Sequence, residues 1–122
     1  MRGFQEYRNA QVNTASTEEL VPLLFQEAVR REDRAMDALQ AGDVRTFREH
    51  LTRVRDIFTE LLLSLDPETA PEVVANLKRL YFWGVREANK ASQTKDPEVL
   101  AGLRKVTISL LETWTEAVEA AR

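Results

Sequence analysis

From Val44 to Leu65 apolar side chains recur at Val44, Phe47, Leu51, Val54, Phe58, Leu61 and Leu65, stepping by threes and fours with little interruption. An α-helix returns side chains to one face at that spacing, so this stretch is a helix with a single apolar stripe, and such a stripe must be covered by other elements. Three further stretches carry the same signal. Leu20, Leu24, Ala28, Ala35 and Leu39, flanked by Val21 and Phe25, mark a first helix, and Gly42 supplies its left-handed stop. Val74, Leu77, Tyr81, Gly84, Ala88 and Ala91 mark the inner stripe of a third, with Pro71 in its first turn. Leu100, Leu103, Val106, Leu110, Trp114, Ala117 and Ala121 mark a fourth, opened by Asp96-Pro97-Glu98. Ser16-Thr17-Glu18-Glu19 reads as a capping box, Asp43 as the N-cap of the second helix, and Asp66-Pro67 as that helix's end.

The helices are therefore expected over about 17–41, 44–65, 70–92 and 97–121. Residues 1–15 contain isolated Phe4, Tyr7 and Val12 without helical recurrence and read as an extended strap. Short loops make neighbouring helices antiparallel. At 122 residues the chain fits one domain with its own core. The expected fold is all-α: an antiparallel four-helix bundle with an extended N-terminal strap.

Charge and composition exclude several functions. The net charge of -3 arises from 17 basic and 20 acidic side chains scattered along the chain, so no cationic field gathers nucleic acid or anionic lipid. The chain has no cysteine, which removes disulfides, thiolate metal sites and cysteine nucleophiles. No run of about 18 apolar residues occurs, so membrane insertion is not expected. Met1-Arg2-Gly3-Phe4-Gln5-Glu6 offers no apolar stretch for a secretion signal, and the expectation is a cytoplasmic protein.

The usual catalytic constellations are missing. A di-metal bundle needs Glu-x-x-His pairs facing inward, but His50 is the one histidine and Phe47 stands three residues before it. There is no Gly-rich phosphate loop, nucleophile elbow or second imidazole. No catalytic residue, metal site or cofactor is expected. A lone histidine on the second helix of a four-helix bundle is where phosphotransfer domains keep their phosphoryl acceptor, which gives an alternative reading as a signalling bundle. The following Leu51-Thr52-Arg53-Val54 departs from the pattern those domains show, and the ordinary reading of His50 is a half-buried or rim imidazole.

Two helices carry more apolar surface than one stripe requires. Leu80, Tyr81, Phe82, Trp83 and Val85 advance about 100° per residue and spread around most of the third helix. Leu61, Leu62, Leu63 and Leu65 do the same on the second. Either neighbours on two sides enclose these side chains, or some of them face outward as a surface for another polypeptide. An amphipathic segment binds such a surface through anchors at i, i+3, i+4 and i+7. A second copy of the chain would fit the surplus as well, leaving a homodimer open, and a generic helical adaptor remains a further reading.

Three blocks in order resemble the FliS family of flagellar export chaperones. The first is Tyr7 with Val12-Asn13-Thr14-Ala15-Ser16-Thr17-Glu18-Glu19-Leu20-Val21 and Leu23-Leu24-Phe25; the second is Glu60-Leu61-Leu62-Leu63-Ser64-Leu65-Asp66; the third is Asn76-Leu77-Lys78-Arg79-Leu80-Tyr81. Trp114 falls where the family's last helix often carries Trp. The resemblance implies an export chaperone that binds the disordered C-terminal segment of flagellin, blocks premature polymerisation and delivers it to the flagellar type III export apparatus by docking on an export gate component. It also implies that the strap, through Tyr7 and Val12, covers part of the client groove when no client is bound. From these blocks and the surplus apolar positions, the expected partner-binding residues are Tyr7, Val12, Thr14, Ala15, Leu24, Leu61, Leu62, Leu65, Leu77, Tyr81, Phe82, Trp83 and Val85. Four departures stand out. Thr17 replaces the usual Pro, Phe25 the usual Tyr, and Thr69-Ala70-Pro71 a glycine-containing connection. Pro22 lies about a turn inside the first helix, where it removes a backbone donor and should bend or loosen it.

Overall fold

The computed structural model describes residues 17–121, with side chains from residue 19 onward. The strap and the Ser16 cap lie outside the described residues. Four helices follow in order: α1 Thr17–Gln40, α2 Val44–Leu63, α3 Pro71–Thr94 and α4 Pro97–Ala120. They form an all-α four-helix bundle in which α1 packs on α2 and α4, and α2 packs on α3. The α3–α4 seam is the thinnest of the four although only Lys95 and Asp96 connect those helices.

The helix ends follow the side chains that satisfy their free backbone groups. At the end of α1, the Gly42 amide donates to the Leu39 carbonyl at 3.1 Å and the Asp43 amide to the Ala38 carbonyl at 2.9 Å, with Gly42 at φ +76°. That paired closure is the left-handed stop expected from the sequence. Asp43 then caps α2 by accepting the Thr46 amide at 3.1 Å, and Asp96 caps α4 by accepting the Glu98 amide at 2.9 Å.

The second helix stops at Leu63, earlier than the stripe suggested. There the Ser64 hydroxyl donates back to the Leu61 carbonyl at 2.8 Å, and Asp66 accepts the Glu68 amide at 3.0 Å and the Thr69 hydroxyl at 3.1 Å, which draws the chain into a turn. The third helix runs on to Thr94. Its N-cap, Ala70, stands at φ +46° with no side-chain cap. A Cβ in the left-handed region costs on the order of 1 kcal/mol. Ala70→Gly is therefore expected to stabilise the exposed connection by up to about 1 kcal/mol, less whatever the freer unfolded chain takes back. A thermal or urea midpoint that falls by that amount would show the left-handed turn to be unstrained.

The core divides into two clusters. One gathers Phe25, Val54, Ile57, Phe58, Leu61, Tyr81, Ala88 and Leu103 with further residues; the other holds Ala35, Ala38, Phe47, Leu51, Ala91 and Leu100. At the centre of the first, Phe25, Phe58 and Tyr81 form a triad with ring centroids 6.1, 6.0 and 6.4 Å apart, tilted or edge to face. The phenylalanine at position 25 is thus a fully buried member of the core. Gly84 lets α3 come against this triad, because a Cβ there would stand 2.5 Å from the Phe58 ring. Pro22 is accommodated inside α1 and is buried.

A candidate interaction surface at one end of the bundle

The antiparallel order brings the start of α1, the end of α2, the start of α3 and the end of α4 to one end of the bundle. Apolar side chains there outnumber those the bundle encloses. In α3 no residue from 71 to 80 is buried, although Val73, Val74, Leu77 and Leu80 all lie in that span. In α4 nothing beyond Leu110 is buried, and Leu111, Trp114 and Val118 are each left half-covered. Leu23 of α1, Leu63 of α2 and Val73 of α3 are each 57% exposed, and Phe82, farther along α3, is 50% exposed. The uncovered run Val73, Val74, Leu77 and Leu80 at the start of α3 is what a candidate binding surface shows, whereas Leu23, Leu63 and Phe82 stand singly on the outward sides of their helices.

The residues singled out from the sequence divide into three groups. Leu61 and Tyr81 are core residues, each 1% exposed, so they shape the surface from beneath and do not present themselves to a partner in this conformation. Leu24, Leu62, Leu65, Leu77, Trp83 and Val85 pack against the first cluster while staying partly open, and Phe82 points furthest out. Tyr7, Val12, Thr14 and Ala15 lie outside the described residues. Leu23, Val73, Leu80, Leu111 and Trp114 also contribute, and none of them was among the expected contacts. Their positions on the wheel were legible, but the gap between helix ends that uncovers them was not.

Polar contacts fix the floor of this surface. Trp114 Nε1 donates to the Tyr81 hydroxyl at 3.1 Å across the thin α3–α4 seam. Burial pushes the Tyr81 hydroxyl up to about 12, partly countered by the Trp114 donor. It therefore stays neutral and remains an acceptor at any ordinary pH. Arg86 lies over the Phe82 ring at 5.2 Å, which orients the most exposed aromatic. A shallow cleft of about 150 Å³ opens between α1 and α4, lined by Glu19, Pro22, Gln26, Thr115, Val118 and Glu119. The side chains around this end include Glu60, Glu72, Glu112, Glu116 and Glu119 but few cations, chiefly Lys78 and Arg79, so anionic partners are disfavoured here.

Away from this end, His50 is half-buried and bonded to Arg31, whose Nη1 lies 3.2 Å from His50 Nδ1. Arginine can only donate, so Nδ1 accepts and the ring proton sits on Nε2. Burial, then the charges of Arg31, Arg34 and Arg30, hold this imidazole below its ordinary pKa against the opposing pull of Glu49. The ring is engaged in a contact with Arg31, which is the rim imidazole expected in the ordinary reading of the sequence. Among the described residues no cluster of three or more His, Asp or Glu could hold a metal ion, and no described helix is long and apolar enough to cross a membrane.

Comparison with known proteins agrees with this geometry. The family model for the flagellar protein FliS matches residues 1–121. The flagellar secretion chaperone FliS of Vibrio cholerae serotype O1 is 26% identical over 121 residues, covering 95% of this chain and 89% of that protein. The flagellar secretion chaperone FliS of Campylobacter jejuni is 27% identical, covering 93% of this chain and 88% of its own length. That of Bacillus subtilis is 24% identical over 98% of this chain and 88% of its own. A crystal structure of a bacterial flagellar chaperone superposes with a TM-score of 0.81 at 19% identity over 98% of both chains, which supports the bundle architecture. With the family model spanning nearly the whole sequence, the chain belongs to the FliS family, a family of flagellar chaperones and not of enzymes.

Proposed function

We propose that this protein is a cytoplasmic export chaperone that binds the disordered C-terminal segment of flagellin, prevents its premature polymerisation and hands it to the flagellar type III export apparatus through an export gate component. The observation that carries this reading is the apolar start of α3, where ten consecutive residues, 71–80, are all unburied although four are Val or Leu. A disordered segment that turns helical on contact can lay its anchors over Val73, Leu77 and Leu80, which share one face of α3, and continue across Leu63 or Trp114. The buried triad of Phe25, Phe58 and Tyr81 keeps the platform rigid, so the ordering cost falls on the client, on the order of 2–5 kcal/mol against a burial of about 1,000–3,000 Å². Affinity in the micromolar to nanomolar range follows, tight enough to occlude the segment and loose enough to release it. No chemical step is involved.

Calorimetric titration with full-length flagellin and with flagellin lacking its last few dozen residues tests this. Binding with a negative heat-capacity change is expected for the first and none for the second. Val73→Asp is expected to weaken binding tenfold or more without moving the thermal midpoint by more than about 2 °C, because the largely exposed valine contributes little to the free bundle. Binding that survives removal of the tail contradicts the proposal.

A further inference from the structure

Glu32 is a carboxylic acid with no exposed surface, set in α1 between Ala28 of one core cluster and Ala35 of the other. Its Oε2 lies 2.8 Å from the Thr107 hydroxyl of α4, and that same hydroxyl lies 2.9 Å from the Leu103 carbonyl. Its Oε1 is buried with no partner. A threonine hydroxyl has one hydrogen and cannot donate it to both acceptors. If Glu32 were a carboxylate, either the Leu103 contact or the Glu32 contact would lose its hydrogen, and a charge would sit in the core with at most one donor. If Glu32 carries a proton, the set closes: Glu32 Oε2 donates to Thr107 Oγ1, and Thr107 donates to the Leu103 carbonyl.

We propose that Glu32 is held protonated in the folded bundle and that its proton is a latch on the α1–α4 seam, released to solvent base as the seam loosens. The surroundings support the neutral form. Charged groups act on Glu32 from two helices: Arg104 of α4, which favours ionisation, and Asp33 of α1, which opposes it. These two are bonded to each other, Arg104 Nε to Asp33 Oδ1 at 2.5 Å, so the cation is largely spent before it reaches Glu32. From α2 and α3 the buried members of the flanking clusters, Phe47, Leu51, Val54, Ala88 and Ala91, are all apolar, and His50 of α2 is engaged with Arg31. Burial, countered only in part by the Thr107 hydrogen bond, pushes the carboxyl from 4.5 up to about 8.

The folded state therefore binds this proton more tightly than the unfolded state. Stability from the group is complete below about pH 4.5 and is withdrawn as the pH rises toward 8. Over that window the unfolded-to-folded ratio rises by up to about tenfold per pH unit, and above it the ionised carboxylate favours an open seam where water can reach it. The inference does not depend on the identity of the client.

The test is a carbon NMR titration of the glutamate carboxyls in the unaltered protein, beside denaturant unfolding from pH 5 to 9 of the unaltered protein and Glu32→Gln. One glutamate is expected to titrate above pH 7, with the Glu32 and Thr107 amide signals moving at the same midpoint. That signal should be missing in Glu32→Gln, whose amide imitates the protonated acid and whose stability should vary less with pH by up to about tenfold per unit. Titration of every glutamate below pH 6 would overturn the proposal, as would a Glu32→Gln protein with the unaltered pH slope. If Glu32→Gln does not fold, the titration of the unaltered protein decides alone.

Discussion

Phe58→Ala is expected to destabilise the bundle by about 3–5 kcal/mol. The ring has no exposed surface and meets Phe25 edge to face at 6.1 Å and Tyr81 at 6.4 Å. Its removal loses the transfer free energy of a whole phenyl group and leaves a cavity that neighbours can fill only in part. Phe25 and Tyr81 are held by their own contact at 6.0 Å, and the opposite wall is Gly84, which has no side chain to lean in. Urea unfolding should show the midpoint fall at an unchanged slope. A loss below about 1 kcal/mol would mean that the triad repacks and is not the rigid platform described above.

The converse substitution should be comparably damaging. At Gly84 even the first added carbon would lie 2.5, 2.6 and 2.8 Å from three atoms of the Phe58 ring, well inside contact distance. Helix propensity favours replacing a mid-helix glycine by about 1 kcal/mol, but that gain is small beside forcing a locked aromatic ring or a whole helix aside. Gly84→Val, with two further methyls in the same space, is expected to cost about 3 kcal/mol or more. The two substitutions act on one volume, so they should not add. In the double variant the valine occupies part of the space vacated by Phe58, and a coupling of about 1 kcal/mol or more toward stability is expected. Additive losses would show that Gly84 is needed for a reason other than its approach to Phe58.

Much of this architecture is legible in the sequence because it is local. Stripe spacing gave the helices, and Gly42, Asp43, Pro71 and Asp96 mark the ends that their backbone and side-chain chemistry produces. Periodicity reports an angle around a helix but not whether a neighbouring helix lies opposite that angle at a given height. For that reason Val74 and Leu77, expected on the inner stripe of α3, are only half-covered at the end of the bundle, while Tyr81 and Leu61, expected among the client contacts, lie in its core. The apolar surplus was expected on the middle two helices, yet Leu23 of α1 and Trp114 of α4 also border the open end. Glu32 was passed over although it falls in the same row as Ala28, Ala35 and Leu39, and Thr107 falls between Leu103 and Leu110. A carboxylate interrupting one apolar stripe and a hydroxyl interrupting another was the available signal. Only the pairing of α1 with α4 shows that the two interruptions meet.

The central claim is that the open end of the bundle, where α3 begins, is the client surface. Amide NMR of the chain before and after addition of an unlabelled peptide from the flagellin C-terminus tests it most directly. Shifts are expected along Val73, Leu77 and Leu80, with Leu63 and the Trp114 indole, while Leu51, Ala91 and Leu100 in the opposite cluster stay in place. Shifts confined to that opposite cluster, or a spectrum unchanged at saturating peptide, would contradict the account.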